Sequence, residues 1–156
     1  MNQTQNILLV TIILGFLLAE FFTGKSKKLH AGSGDNTLDI LGFAILVALT
    51  QPLIFFIVNK IGMSVAPEYK NSLENLPWYA MVCILLVGDD MMQYWWHRVS
   101  HSPLLWPLHR AHHTPHYMSI RVTYRNNFFY YLLMPGIWIS GIFIFLGFGT
   151  VYLFYI

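Results

Sequence analysis

Four apolar runs separated by short polar segments set the layout of this chain. The first, 7–22, is broken by polar side chains only at Thr11 and Glu20. The second, 38–58, holds 21 residues, which as a helix cover about 31 Å, one bilayer core. Gly42 and Pro52 are tolerable within it. The third, 76–96, opens like a helix, with Asn75 as candidate cap and Pro77 in the first turn. Its uninterrupted apolar part stops at Val87, and it reaches spanning length only by continuing through Asp89, Asp90 and Gln93 to Trp96. Carboxylates at that depth face protein interior or a site, because lipid does not solvate them. The fourth run begins at 128 and carries no charge up to 156. Its expected span is 128–146, with Gly147-Phe148-Gly149 dividing it from the start of a return helix.

Composition agrees with this layout. Charged residues are 10% of the chain, against about 25% in soluble domains, and the mean hydropathy is +0.52. The expected fold is therefore an all-α integral membrane protein, one domain over 1–156 with three to four transmembrane helices. Residues 2–6 hold no Lys or Arg, so the first run reads as an uncleaved span rather than a signal peptide. Lys25, Lys27 and Lys28 lie in the first connection, and Arg98, Arg110, Arg121 and Arg125 in the third. The second has Lys60 and Lys70, balanced by Glu68 and Glu74. The positive-inside rule then places connections one and three in the cytoplasm. The net charge of +2, with no basic stripe, argues against nucleic acid. Cys83, the single cysteine, reads as a small buried hydrophobe.

The third connection, 97–127, changes the picture. Five of the seven histidines fall within seventeen residues: His97, His101, His109, His112 and His113. Offsets of i, i+4 and then i, i+3, i+4 put imidazoles on one face of each of two helices. Ser102-Pro103 and Pro107 end the first helix and let a second turn back over it. Asp90, Tyr94, His97 and His101 form one stripe, which makes Asp90 a candidate supporting acid or a partner for Arg98 or Arg110. Arg98 stands where a zinc protease would carry the Glu of H-E-x-x-H, so that hydrolytic chemistry is excluded. Five imidazoles exceed both a haem's axial pair and a catalytic zinc's three protein ligands; the count favours two ions.

The run Asp90-Met-Met-Gln-Tyr94-Trp95-Trp96-His97-Arg98-Val-Ser-His101, followed by Leu105-Trp106-Pro-Leu-His109-Arg-Ala-His112-His113-Thr114, resembles the histidine boxes of the sterol desaturase / fatty acid hydroxylase superfamily. Arg125 also falls where that family often carries Arg. The resemblance implies a membrane-bound lipid hydroxylase or desaturase that uses O2 and two electrons at a di-iron centre, with zinc a substitute ion in purified form. It implies His97, His101, His109, His112 and His113 as metal ligands and Asp90 as a supporting acid. A cytoplasmic electron donor, such as cytochrome b5 or a ferredoxin, and a membrane lipid substrate would be the partners. The membrane would be endoplasmic reticulum or bacterial inner membrane, with the boxes facing the cytoplasm. His116 is a candidate sixth ligand, and His30 a weaker one. The family's third histidine box has no counterpart here, so the chain is expected to be an N-terminal portion, inactive alone. Two readings compete: a membrane metal-binding or transport protein, and a non-catalytic relative. A transporter would place its ligands near the bilayer midplane, and these follow the third run.

Overall fold

The computed structural model describes residues 3–23, 35–115 and 120–149. Among them every regular element is helical. The first helix, α1 (Gln3–Phe22), covers the first apolar run, and the Thr23 hydroxyl closes it by donating to the Ala19 carbonyl at 2.7 Å. Helix α2 (Asp35–Ala44), a π turn (Ile45–Thr50) and α3 (Gln51–Val65) run on as one helix. Its stretch Thr37–Val65 is long and apolar enough to cross a membrane. Outward-facing Leu38, Ile40, Phe43, Leu49 and Phe56 give it an apolar surface suited to lipid.

The π turn has an identifiable cause. Pro52 has no N–H to give and crowds the preceding turn. The turn widens instead: the Gln51 N–H reaches Leu46 O, five residues back, and the Thr50 hydroxyl donates to Ile45 O at 3.0 Å. Thr50 is wholly buried, so that bond satisfies a hydroxyl with no access to water.

Helix α4 (Trp78–Ser100) fills the third run. Its cap is Pro77 rather than Asn75: the extended ψ of 139° at Pro77 aims its carbonyl at the Ala80 N–H, 2.9 Å away. Cys83 on α4 is exposed, correcting the expectation of a buried thiol; Met81 and Leu85, on its other side, are the residues packed inward.

The fourth run departs from the expected single span. It forms α6 (Phe128–Leu133) and α7 (Pro135–Phe145), after a short α5 (Trp106–His109). Pro135 disfavours helical geometry at Met134, which sits at φ −69° and ψ 111°. The Trp138 indole donates to Leu132 O at 2.8 Å, satisfying a carbonyl that the break frees. The turn expected at Gly147 is present. Gly147 has φ +107°, and a Cβ there would lie 2.9 Å from the Asn71 Cα. Leu73 N–H to Leu146 O at 2.8 Å ties that turn to the 71–74 loop.

The core lies where α3, α6 and α7 meet, around Ile54, Val58, Tyr130, Tyr131, Ile137 and Phe145. Gly62 and Gly141 bring α3 and α7 close: a Cβ on Gly62 would be 2.7 Å from the Phe145 ring, and one on Gly141 3.2 Å from Val58. The expected ends at 22, 58 and 96 fall within or beside observed helices; α7, with 11 residues, is shorter than a span.

Candidate metal centre

Helix α4 delivers His97 from its last turn and His101 from its C-cap. Beyond Ser102-Pro103, α5 brings His109, and a 3-10 turn (Arg110–His113) brings His112 and His113. The chain does turn back on itself. The His97 ring lies 4.6 Å from His109 and 5.5 Å from His113, and His101 lies 4.7 Å from His113.

The nitrogens converge more closely than the rings. His97 Nε2 and His101 Nε2 are 3.1 Å apart, and His109 Nε2 and His113 Nε2 are 2.9 Å apart. Ligand atoms from all four histidines lie within 4.8 Å of one another. Two nitrogens bound at about 2.1 Å to one ion stand about 3.0 Å apart at a right angle and about 3.4 Å apart at the tetrahedral angle. Both observed pairs fit adjacent ligands on one ion. His112 stands beside this set, its ring stacked on His109 at 5.2 Å.

The opposite edges of two rings are engaged by one segment. His112 Nδ1 lies 2.9 Å from the Val122 carbonyl, and His109 Nδ1 lies 3.3 Å from Asn126 Oδ1. Each contact makes Nδ1 the protonated nitrogen and leaves Nε2 as the lone-pair donor, the outer-shell role seen around metal-bound histidines. Tyr130 stacks on His109 at 4.9 Å and 14°, and Trp106 on His113 at 5.4 Å and 29°. These rings fix the imidazoles and keep water from one side.

The 122–126 segment is held in turn by the long helix. Arg125 Nε donates to Asp39 Oδ1 at 2.6 Å, and both side chains are under 5% exposed. Arg125 also reaches the Thr114 hydroxyl at 3.5 Å, next to His113. Gly42 lies so close to the Tyr124 carbonyl that a Cβ would overlap it. The Tyr131 hydroxyl donates to the same carbonyl at 2.5 Å.

Sequence reasoning named Arg125 but missed Asp39 and Asn126. A carboxylate one position inside an apolar run was the signal for Asp39; Asn126 gave none. The ion pair at this site is Asp39–Arg125; among the described residues Asp90 is not bridged to Arg98 or Arg110. Asp90 is exposed, seven residues and about 10.5 Å along the axis from His97. The buried acid on α4 is Asp89, set against Gly136 at the start of α7. His116, His30 and the lysines at 25, 27 and 28 lie outside the described residues.

Burial holds the His109 pKa down at about 4, with His97, His112 and His113 adding to the depression and the Asn126 contact opposing it. Burial, then neighbouring imidazoles, also lowers His97 and His113. His97, His109 and His113 are thus held towards the neutral form, the one that binds metal. An unfolded His109 titrates near pH 6.5, so between pH 6.5 and about 4 the unfolded chain takes a proton that the folded chain refuses. The stability of metal-free protein is expected to be full above that window and to fall as pH drops through it. Melting in detergent across this range checks it, and His109→Gln should flatten the slope.

Residues 82–156 match the fatty acid hydroxylase family, within the superfamily that the two histidine boxes resemble. No solved structure matches the chain.

Proposed function

With residues 82–156 matching the fatty acid hydroxylase family, we propose that this chain carries the metal centre of a membrane-bound lipid hydroxylase or desaturase. The observation that supports it most is the convergence of four imidazole nitrogens within 4.8 Å, with a fifth histidine alongside. The site would hold two iron ions. His97, His101, His109 and His113 would hold iron between them, and His112, stacked on His109, would be a further ligand beside them. Five imidazoles do not fill two six-coordinate shells, so further ligands complete them. Bound iron would supply, from O2 and two electrons, the oxidant that an unactivated C–H bond requires.

The protein's own share is placement. Val122 O and Asn126 Oδ1 set which nitrogen of His112 and of His109 faces the ions. Trp106 and Tyr130 brace the rings, and the lowered His109 pKa leaves its lone pair free. Asp90, on the same stripe of α4 as His97, would be a supporting acid, as the family resemblance implies. In hydroxylation the substrate C–H, O2, two electrons and two protons become C–OH and water. In desaturation two C–H bonds are lost and two waters form. The electrons would come from a cytochrome b5 or ferredoxin at the cytoplasmic face, and the substrate would arrive through the bilayer as a lipid.

The test is metal analysis of the full-length protein reconstituted with Fe(II). About two irons per chain are expected, lost on His97→Ala or His112→Ala. A single zinc that survives both substitutions would overturn the reading.

A further inference from the structure

The turn that joins α4 to α5 is apolar where a turn in water is polar. Pro103-Leu104-Leu105-Trp106-Pro107 has no hydrogen-bonding side chain except the Trp106 indole, whereas solvated turns draw on Gly, Asn, Asp and Ser. Leu104 at its tip is 85% exposed, the highest value among the large apolar side chains of the described residues. The tip is also rigid. The Leu105 and Trp106 N–H groups both donate to Ser102 O, at 3.2 and 2.9 Å, and the Ser102 N–H donates to Val99 O at 2.9 Å. Pro103 and Pro107 fix their own φ. Trp106 stacks on His113 and lies 5.5 Å from the His101 ring, so the turn and the histidine cluster form one piece.

The exposed apolar surface extends from the turn down α4. Val87, Met91, Trp95 and Val99 recur at intervals of four residues, and each is at least half exposed. That spacing makes them one ridge of the helix. Val99 is two residues from both His97 and His101, about 200° round the helix. The end of α4 therefore carries histidines on one side and an apolar ridge on the other. Single exposed apolar residues are ordinary; a ridge of four that runs into an apolar turn is not. Cations border it. The Arg98 guanidinium lies 5.6 Å from the Trp95 ring centre, and exposed Arg110 follows the turn. Indoles and guanidiniums together suit the headgroup level of a bilayer, where an apolar body meets lipid and a polar tip meets water.

We propose that the 103–107 turn is a lipid-inserting wedge. Leu104 and Trp106 enter the boundary between headgroups and acyl chains, and they continue the lipid contact of the Val87-to-Val99 ridge. The partner is the bilayer surface, not a lipid being turned over. Interfacial segments bury their apolar side about 5–10 Å into that boundary. Because the wedge is one piece with the cluster, its insertion sets the height of the imidazoles, which lie at headgroup level on the side of α4 away from the ridge.

The test uses the full chain with Cys83→Ser, so that one introduced cysteine carries an environment-sensitive nitrobenzoxadiazole probe. Leu104→Cys is compared with Glu68→Cys, a reference in the 66–77 loop, in phosphatidylcholine nanodiscs, which leave both bilayer faces open to added ions. Both positions are exposed, so neither change opens a cavity. Emission at Leu104 is expected to lie to the blue of that at Glu68. It should fall when part of the lipid carries a nitroxide near the carbonyl end of its acyl chain, and should resist iodide; the probe at Glu68 should do the reverse. Iodide quenching at Leu104 equal to that at Glu68 would overturn the wedge, because the tip then lies in water. Resistance to both quenchers would overturn it as well, because a protein surface, a second copy of this chain included, then covers the tip. Neither metal nor substrate enters the measurement, so its outcome is independent of the oxygenase reading.

Discussion

Replacing His101 with alanine is expected to abolish iron binding while the fold stays in place. His101 is an exposed C-cap residue, so truncating it opens no interior cavity. Its Nε2, however, is half of the closest nitrogen pair on α4. Removing an outer-shell partner costs a metal site about 10–100-fold in affinity, and removing a ligand is expected to cost at least the upper end of that. His109→Ala gives the contrasting result. His109 is 1% exposed, stacks on Tyr130 and contacts Asn126, so its loss removes both metal and packing. By analogy with other buried ring truncations the cost is about 3 kcal/mol or more. Iron per chain and melting temperature, measured on both variants, separate the two effects. Iron retained at parental level by His101→Ala would count against the cluster as a metal centre.

Asp39→Ala is expected to destabilise the protein by about 3–5 kcal/mol, because it strands a buried guanidinium without its carboxylate. For a chain of this size that corresponds to a fall in melting temperature on the order of 10 °C. The double variant Asp39→Ala/Arg125→Ala should recover part of the loss, since no charge is then left buried. The loss should also reach the metal: Arg125 lies between Val122 and Asn126, which orient His112 and His109. Weaker iron binding by Asp39→Ala, at a temperature where it remains folded, is the expected signature. A melting temperature within a degree or two of the parent would show that the pair does not hold the segment.

What the sequence disclosed follows a physical divide. Spacing along one helix is local, so the ligand faces of His97 with His101, and of His109 with His113, were legible from the order of residues alone. The reversal between them was legible too, because prolines at 103 and 107 act on their own neighbours. Asp39 and Arg125 are 86 residues apart, and nothing near either names the other. The Asn126 contact with His109 likewise depends on where the 122–126 segment lands. Stripe counting picked Asp90 because it shares a face with His97. Asp89 is the acid that packs inside because Gly136, with no side chain, leaves room for it. The break at Met134 was legible in principle, from the proline that follows, but the uncharged run around it argued for continuity. Cys83 followed the same course: apolar surroundings in sequence mean burial in water, but on α4 they coincide with an outward face.

The π turn bears on how this helix tolerates change in length. Gly42 and Ile54 both face the C-terminal half of the chain, Gly42 towards Tyr124 and Ile54 within the core that includes Tyr130. They are 54 − 42 = 12 residues apart, which in an unbroken α-helix is a rotation of about 120°. A turn that closes one residue later takes back roughly 100° of it, so the two faces nearly align. In a regular helix eleven residues would give the same alignment. The long helix thus carries one residue more than its two contact faces require, stored as a bulge beside Pro52. Ordinary helices transmit a gained or lost residue to everything downstream as a twist; this one has a place where the count can change and the faces stay in phase.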